Sequence, residues 1–276
     1  MSGLPTLLGC PWDASSSFLR GAADAPALIR RAIASPSSNS WSESLRDLGT
    51  PDALGDAGDL DVSGDDPRAV IEQGARSLIA KQGRPLSLGG DHSVSYPLLR
   101  AVRSVHPRLT VLHIDAHADL YEDFEGDRYS HACPFARVME EGLADRLVQV
   151  GIRTLNQHQR SQADRFGVEI IDMRSWVAGV RPDVGGPVYV SLDLDALDPA
   201  FAPGVSHWEP GGLSVREVIT LIHGLGGTLA GADLVEYNPA RDPSGVTAYV
   251  AAKLVKEIAS RMLEDPAEEV ISLPQG

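Results

Sequence analysis

Short apolar runs alternate with segments of helical period along the chain. The run LPTLLGC is followed by APALIRRAIA, in which apolar residues recur three and four positions apart, and similar pairs continue towards the C-terminus. Parallel strands need long crossover connections, so strands that alternate with helices favour a parallel sheet with helices on both faces. The pattern predicts an α/β fold, a three-layer αβα sandwich with a mainly parallel central sheet.

The predicted strands are LPTLLGC, PLSLGG, LTVLHID, RLVQVGI, VEIID, PVYVSLDLD and LAGADLVEY. The predicted helices are APALIRRAIA, PRAVIEQGARSLIAKQG, SVSYPLLRAVRSV, CPFARVMEEGL, QHQRSQADRFG, SVREVITLIHGLG and VTAYVAAKLVKEIASRML. Pro26 suits the start of the first helix, and Gly83 suits the C-cap of the second. Since no repeat or linker interrupts this order, we expect one domain over residues 1–263 and an acidic tail over 264–276.

The stretch HIDAHADLY places Asp115, His117 and Asp119 at every second position. If the preceding strand continues through them, all three side chains project from one face. A polar strand edge facing water is the simpler explanation. However, the run before them is apolar enough to be covered on both faces. Carboxylates crowded at the end of a buried strand need a neutralising cation, so the stretch suggests a metal site.

Three other predicted strands also end in acid or imidazole. GGDHS places Asp91 and His92 after one strand, SLDLDALDP carries Asp193 and Asp195, and LAGADLVEYNP closes with Glu236. Taken singly, each residue has a structural explanation, such as helix capping or a solvated loop carboxylate. Together they favour one site, because ligands of open parallel sheets bind outside the carboxyl ends of the strands.

The net charge limits the classes of partner that the protein is expected to bind. The formal net charge is −14 at pH 7, which argues against nucleic acid because phosphates need a basic surface. It favours a small cationic partner or bound metal ions.

The cysteine content and the N-terminus bear on location. Cys10 and Cys133 are too few and too far apart for a disulfide framework or a cysteine zinc site, which favours a reducing compartment. No apolar run approaches the length of a membrane span, and the first residues lack a basic region followed by an apolar core. We therefore expect a cytoplasmic protein without a membrane partner.

The four blocks GGDHS, DAHADL, SLDLDALDPAFAP and VEYNP resemble the signature blocks of the arginase family, the ureohydrolases, which includes agmatinase and other amidinohydrolases. Segments such as YSHACPFARVMEEG and GVSHWEPGGLSVREV look most like the plant-type arginase branch. The resemblance extends from Leu7 to about Met262. It implies an arginase-like catalytic domain with a metal site at the carboxyl ends of the strands.

By this resemblance, two manganese ions per chain are expected. The first would be held by His92, Asp115, Asp119 and Asp193. The second would be held by His117 and Asp195, with Asp115 and Asp193 bridging both ions. Oxygen-rich ligands with imidazole suit manganese by ligand type, although the general affinity order favours zinc.

The resemblance also assigns roles beside the metals. His131 matches the proton-shuttle histidine, a general acid for the leaving amine, although a structural histidine before a helix is the alternative. Glu236 matches the carboxylate that binds the guanidinium group of the substrate. His207 occupies the position of a pocket threonine in many family members. It could orient the nucleophile, contact the leaving group or only pack.

The identity of the guanidino substrate stays open. L-Arginine is the first choice by branch resemblance, and agmatine, a guanidino acid and N-hydroxy-L-arginine of an antibiotic pathway are alternatives. The loop that holds the substrate carboxylate in animal-type arginases is not visible before His131. Ser16, Tyr129 and Asn156 are candidates for binding the far end of the substrate.

Two other classes of protein share features with these blocks. A metal-dependent deacetylase has the same architecture but uses one zinc ion and a tyrosine. An inactive regulatory paralogue typically lacks metal ligands, whereas every expected ligand is present here. The resemblance further implies a homo-oligomer.

Overall fold

The computed structural model describes residues 3–264. Within these residues, one parallel sheet of eight strands runs through the molecule. The strands are β1 (Leu4–Cys10), β2 (Gly55–Asp59), β3 (Gly83–Gly89), β4 (Thr110–Ile114), β5 (Arg146–Val150), β6 (Glu169–Ile171), β7 (Val188–Asp193) and β8 (Leu229–Val235).

Eight α-helices connect or flank these strands in the described part of the chain. They are α1 (Ala25–Ile33), α2 (Pro67–Ala80), α3 (Ser95–Arg103), α4 (Pro134–Glu140), α5 (Gln157–Phe166), α6 (Met173–Val177), α7 (Val215–His223) and α8 (Val246–Leu263). None of them is long and apolar enough to cross a membrane.

The strand order is β2-β1-β3-β8-β7-β4-β5-β6. The chain therefore leaves β3, passes over the positions later filled by β8 and β7, and enters β4. Strands β7 and β8 return to the middle of the sheet, where they are buried along their whole length. Such a reversal of strand order is where open α/β sheets bind ligands.

The core has two parts, one on each face of the sheet. Successive residues of β4 point in opposite directions, so Leu112 packs with helices α1, α7 and α8, whereas Val111 packs with α2, α3 and α4. This arrangement is the predicted three-layer αβα sandwich with a parallel sheet.

The sequence pattern missed two elements and misplaced the C-cap of α2. Strand β2 (GDAGD) lies at the sheet edge and is mostly exposed, so it carries no apolar pattern. Helix α6 (MRSWV) has only five residues, too few to show a helical period. Gly83 begins β3 and does not cap α2; Gln82 takes the left-handed backbone conformation with φ of 64°. Apart from Glu264, the predicted acidic tail lies outside the described residues.

Candidate active site

Four adjacent strands, in the order β3-β8-β7-β4, end at one edge in the middle of the sheet. The loops that follow them carry the residues selected from the sequence, because each block lies directly after its strand. Those residues are Asp91 and His92 after β3, Glu236 after β8, Asp193 and Asp195 at the end of β7, and Asp115, His117 and Asp119 after β4.

The backbone around Asp115, His117 and Asp119 differs from the expected strand. Strand β4 ends at Ile114, and Asp119 has a φ of 49°, a left-handed conformation that a non-glycine residue rarely adopts. The alternation in HIDAHADLY therefore does not reflect strand pleating. Glu236 also has a left-handed φ, of 63°. Such strain in buried polar residues is typical of functional sites.

His92 faces three carboxylates in a fully buried position. Its Nδ1 atom lies 3.1 Å from Asp115 Oδ2, 3.1 Å from Asp119 Oδ2 and 3.2 Å from Asp193 Oδ2. Among the described residues, no hydrogen bond of good geometry involves this Nδ1. Burial disfavours a charged imidazole, but the three carboxylates raise the pKa of His92 well above its usual value. A positive charge, either a proton or a cation, is therefore favoured at Nδ1.

The other side of the His92 ring contacts a series of buried polar side chains that are linked by hydrogen bonds. His92 Nε2 lies 2.9 Å from Ser191 Oγ, and Ser191 donates to Asp233 Oδ1 at 2.7 Å. Tyr189 donates its phenol proton to Asp233 Oδ2, also at 2.7 Å. Since the proton of Ser191 is directed to Asp233, its oxygen accepts from His92 Nε2–H. This arrangement leaves the Nδ1 lone pair directed at the carboxylates, as a metal ligand requires.

A second cluster lies beside the first. His117 Nδ1 lies 3.0 Å from Asp195 Oδ2 and 3.4 Å from Asp115 Oδ1. Asp115 thus belongs to both clusters. Potential ligand atoms of His92, His113, Asp115 and Asp119 lie within 4.8 Å of one another, and so do those of Asp115, His117 and Asp195. A carboxylate shared in this way fits a bridging ligand.

The donor set fits divalent cations. Asp193 is almost completely buried, and burial together with Asp195 and Asp115 raises its pKa well above the usual value for a carboxyl group. Burial likewise raises the pKa of Asp195 to about 6. Carboxylates so crowded away from water are stabilised by cations that bind between them. Oxygen-rich ligands with imidazole are typical of hard or borderline divalent metals.

His113 is a fully buried residue of this site that the sequence analysis did not select. Gln149 Nε2 lies 2.6 Å from the Ala118 carbonyl, which only accepts, and 2.9 Å from His113 Nδ1. His113 Nδ1 is therefore an acceptor, and its Nε2–H donates to Asp115 Oδ2 at 2.7 Å. His113 thus orients Asp115 and has no free nitrogen for a metal. Its only sequence signal is a polar residue inside an apolar strand.

His131 and Glu236 form a buried pair near these clusters. Their Nδ1 and Oε1 atoms are 2.8 Å apart, and Glu236 Oε1 also accepts from the His92 backbone N–H at 2.9 Å. Burial lowers the pKa of His131, but Glu236 outweighs it and raises the pKa to about 9. Burial raises the pKa of Glu236, but His131 outweighs it, so the pKa of Glu236 is lowered.

Ser17 contacts the opposite nitrogen of the His131 ring. Its backbone N–H donates to Nε2 at 3.1 Å, and its Oγ lies 2.8 Å from the same atom. The backbone contact favours the neutral ring, whereas Glu236 favours the charged ring. His131 is therefore placed to gain or lose a proton at Nε2 without moving.

A cavity of about 190 Å³ opens over these residues. His207 lies in its wall, with its ring centroid 5.4 Å from that of His131 and 5.7 Å from that of His117. The cavity is lined by Ser17, His117, Asp119, Tyr121, Phe124, His131, Ala132, Thr154, Gln159, Asp193, Asp195, His207 and Glu236.

The three residues expected to bind the far end of the substrate do not line this cavity. Ser16 donates its hydroxyl proton to Asp91 at 3.3 Å. The guanidinium of Arg68 lies over the ring of Tyr129, with its Cζ atom 4.4 Å from the ring centroid. Asn156 caps helix α5. These residues were selected by side-chain type alone. Whether a loop residue faces the cavity depends on the direction of the backbone, which side-chain type does not reveal.

The profile of the Arginase family matches residues 5–260. The chain belongs to the arginase family. It is 49% identical to mitochondrial arginase 1 of Arabidopsis thaliana, over 93% of this chain and 80% of the relative. It is 36% identical to the mitochondrial guanidino acid hydrolase of Homo sapiens, over 91% of this chain and 76% of the relative.

A solved structure agrees with this assignment. The arginase from Medicago truncatula superposes with a TM-score of 0.90 and 45% identity, covering 95% of this chain and 88% of that chain. The arginase fold expected from the sequence blocks is thus confirmed.

The expectation of a cytoplasmic protein is wrong by this comparison. Four of the plant relatives are named as mitochondrial or chloroplastic/mitochondrial arginases. Two cysteines without a disulfide framework are compatible with any compartment that keeps thiols reduced. Cysteine content therefore does not distinguish the cytoplasm from an organelle.

Proposed function

We propose that this arginase-family hydrolase uses two manganese ions to hydrolyse the guanidino group of L-arginine, giving urea and L-ornithine. The main observation is that Glu236, paired with His131, lines the same cavity as Asp193 and Asp195. Similarity to the plant arginases supports arginine as the substrate.

The residues that would hold the ions are those of the two clusters. His92, Asp115, Asp119 and Asp193 would bind the first ion. His117 and Asp195 would bind the second, with Asp115 and Asp193 shared. When bound, the pair supplies Lewis-acid activation of water at neutral pH.

Glu236 would bind the substrate guanidinium. Its Oε1 is held by the His92 backbone N–H and by His131, which fixes the carboxylate plane. A carboxylate is the planar two-oxygen complement of a guanidinium group. Because the site is buried, the charge of Glu236 also offsets the cost of desolvating the cation.

His131 would protonate the leaving amine. The ring is held at Nδ1 by Glu236, and a second proton can reside at Nε2 beside Ser17 Oγ. Since Ser17 and His131 both line the cavity, the proton has a short path to the substrate. His207 would form the wall beside them.

Guanidino acids are a second candidate class of substrate. They are favoured by the similarity to the human guanidino acid hydrolase. Arginine and guanidino acids share the guanidino group. The residues proposed to bind that group therefore do not distinguish the two classes of substrate. The homo-oligomer implied by the family resemblance stays a prediction.

The direct test is hydrolysis by the manganese-loaded protein. L-Arginine, N-hydroxy-L-arginine, agmatine and 4-guanidinobutyrate would be supplied separately, and urea and hydroxyurea would be measured. We expect the highest kcat/KM with L-arginine and urea as its product. Absence of urea from L-arginine, with two ions bound per chain, would contradict the proposal.

A further inference from the structure

Arg153 follows strand β5 and contacts both loops that carry the second cluster, although the proposed chemistry gives it no role. We propose that Arg153 is a positioning residue for the second metal ion. Its guanidinium holds the backbone beside the ligands His117 and Asp195, so that binding of this ion depends on Arg153 and binding of the first does not. This inference rests on the proposed function, because it concerns one of the two proposed ions.

The guanidinium of Arg153 uses all five of its N–H donors. Nη2 donates to the carbonyl oxygens of Asp195 at 2.7 Å and Glu209 at 2.6 Å, and Nε donates to the same Glu209 oxygen at 2.8 Å. Nη1 donates to the carbonyl oxygens of Gly151 at 3.1 Å and Ala196 at 3.2 Å. Because these acceptors are backbone carbonyls and not carboxylates, the side chain fixes the course of the chain around the site.

The backbone of Arg153 holds the loop after β4. Its N–H donates to the carbonyl oxygen of Ala116 at 2.9 Å, and Ala116 lies between Asp115 and His117. The backbone N–H of Ala116 in turn approaches Asp195 Oδ1 at 3.3 Å. Arg153 therefore contacts either a member of the second cluster or the residue directly beside it, for all three members.

Glu209 connects Arg153 with His117 by a second route. Glu209 Oε1 lies 3.8 Å from His117 Nε2, whereas His117 Nδ1 faces Asp195. Since two donors of Arg153 hold the Glu209 carbonyl, the carboxylate of Glu209 is kept on the Nε2 side of the ring. A carboxylate on that side favours the tautomer with its hydrogen on Nε2, which leaves the Nδ1 lone pair for a cation.

A glycine makes room for the guanidinium. A Cβ atom at Gly212 would lie 2.7 Å from Arg153 Nη2 and 2.6 Å from the carbonyl oxygen of Ala196. Both distances are too short for a carbon atom, so a side chain at this position would displace the guanidinium or the carbonyl that it binds. The guanidinium is thus enclosed between the two loops in one position.

The sign of the charge separates positioning from electrostatics. A guanidinium repels a metal cation, so removing its charge alone should strengthen metal binding. Removing its hydrogen bonds should weaken the binding of the second ion, because the ligands lose their fixed positions. The three first-cluster residues His92, Asp119 and Asp193 accept none of the hydrogen bonds of Arg153 described above. Selective weakening of the second ion therefore reports positioning.

Manganese titration monitored by EPR spectroscopy tests this inference without turnover. Two manganese ions that share carboxylates are exchange-coupled, so their spectrum differs from that of a single ion. Arg153→Met keeps the length of the side chain but removes every donor. We expect its affinity for the second ion to fall about 10- to 100-fold, as for other partners of metal ligands. Its affinity for the first ion should stay unchanged, which also shows that the variant has folded.

Two further variants complete the experiment. Arg153→Lys keeps the charge but has three donors and no planar fork, so we expect an affinity for the second ion between those of the wild type and Arg153→Met. Arg160→Met is the matched control. Arg160 lines the same surface cavity as Arg153, but its side chain forms no hydrogen bond among the described residues. This variant should bind both ions at least as tightly as the wild type.

Three results would overturn the inference. The first is a second ion bound by Arg153→Met as tightly as by the wild type. The second is an equal loss of both ions, which would mean that Arg153 serves folding in general. The third is wild-type affinity in Arg153→Lys, which would mean that the five-donor fork is not required. If Arg153→Met does not fold, the first two criteria apply to Arg153→Lys.

Activity measured on the same samples separates this inference from the proposed function. If the wild type binds two ions but releases no urea, and Arg153→Met loses the second ion, only the proposed function fails. If the wild type releases urea from L-arginine, and Arg153→Met retains both ions at wild-type affinity, only the inference on Arg153 fails. A wild type that binds a single ion overturns the inference as well.

Discussion

His131 Nδ1 lies 2.8 Å from Glu236 Oε1, so the proposed general acid and the proposed guanidinium anchor are directly coupled. The carboxylate holds the imidazole ring and favours its charged form. A cationic substrate that reaches Glu236 shares that carboxylate with His131. Substrate binding should therefore promote release of the His131 proton, which is what a general acid must do.

Replacing His131 by Asn should separate proton transfer from metal binding. We expect kcat to fall roughly 10²- to 10⁴-fold, the usual contribution of a general acid, while manganese content is retained. His106→Asn is a suitable control, since His106 lies outside the cavity. Steady-state kinetics and elemental analysis on the same samples provide the test. An unchanged kcat would mean that His131 is structural.

The pH dependence should follow the same pair. Glu236 raises the pKa of His131 to about 9. The protonated, acid-competent form is therefore present at neutral pH and is lost as pH rises through about 9. We expect kcat/KM to decline on this alkaline side. Glu236→Gln removes the negative charge that raises the pKa of His131, while burial still lowers that pKa. Any remaining activity of this variant should therefore decline at a lower pH than in the wild type. If kcat/KM of this variant declines at the same alkaline pH as that of the wild type, the decline does not report the titration of His131.

Glu236→Gln also tests the anchor itself. The substitution keeps size and an acceptor for the His92 backbone N–H, but removes the charge that complements the guanidinium. Losing one partner of a desolvated charge pair typically costs about 2–5 kcal/mol, so kcat/KM should fall tens to thousands of times. Manganese content should stay unchanged. Full kcat/KM, or a loss explained by lost manganese alone, would contradict this role.

The sequence predicted the fold well, because buried strands and amphipathic helices carry strong periodic signals. Every predicted strand is found in the sheet. The edge strand β2 was missed because edge strands need few apolar residues. The positions of Asp115 and Glu236 after their strands followed from the strand endings, since parallel strands end at one edge.

The side-chain contacts within the site could not be predicted from the sequence pattern. The hydrogen bond from His113 to Asp115 and the cavity position of Gln159 depend on packing between elements distant in sequence. Asn156 was expected to bind substrate as a polar loop residue, but its side chain serves the first turn of α5 and Tyr121. Helix caps are local signals that compete with binding roles for the same residue types.

Asp193→Ala should lose at least one manganese ion. Its Oδ2 faces His92 Nδ1 and its Oδ1 accepts from the Asp195 backbone N–H, so it lies between the two clusters. Removing it also deprives Asp195 of the backbone contact that positions the turn. Asp65→Ala, at an exposed loop position, is the matched control. Two tightly held ions per chain in the Asp193 variant would contradict its role as a shared ligand.

Ser191→Ala tests the chain behind His92. Ser191 accepts from His92 Nε2–H and donates to Asp233, and both contacts are fully buried. Without this hydroxyl the ring loses the partner that fixes its tautomer, and Asp233 loses a donor. Substitutions of such partners typically weaken metal affinity by about 10- to 100-fold. We expect this loss in competition titrations with a manganese chelator.

The chain offers a close control for that experiment on strand β3, which is separated from β7 by β8. Ser87 is also fully buried, but its Oγ has no hydrogen-bond partner among the described residues. Ser87→Ala therefore removes a buried hydroxyl without breaking a hydrogen bond, and it should leave manganese affinity unchanged. If both alanine variants bind manganese equally, the hydroxyl of Ser191 contributes nothing beyond packing. If only Ser191→Ala is weakened, the tautomer of His92 is set from the interior of the sheet, through Ser191 and Asp233.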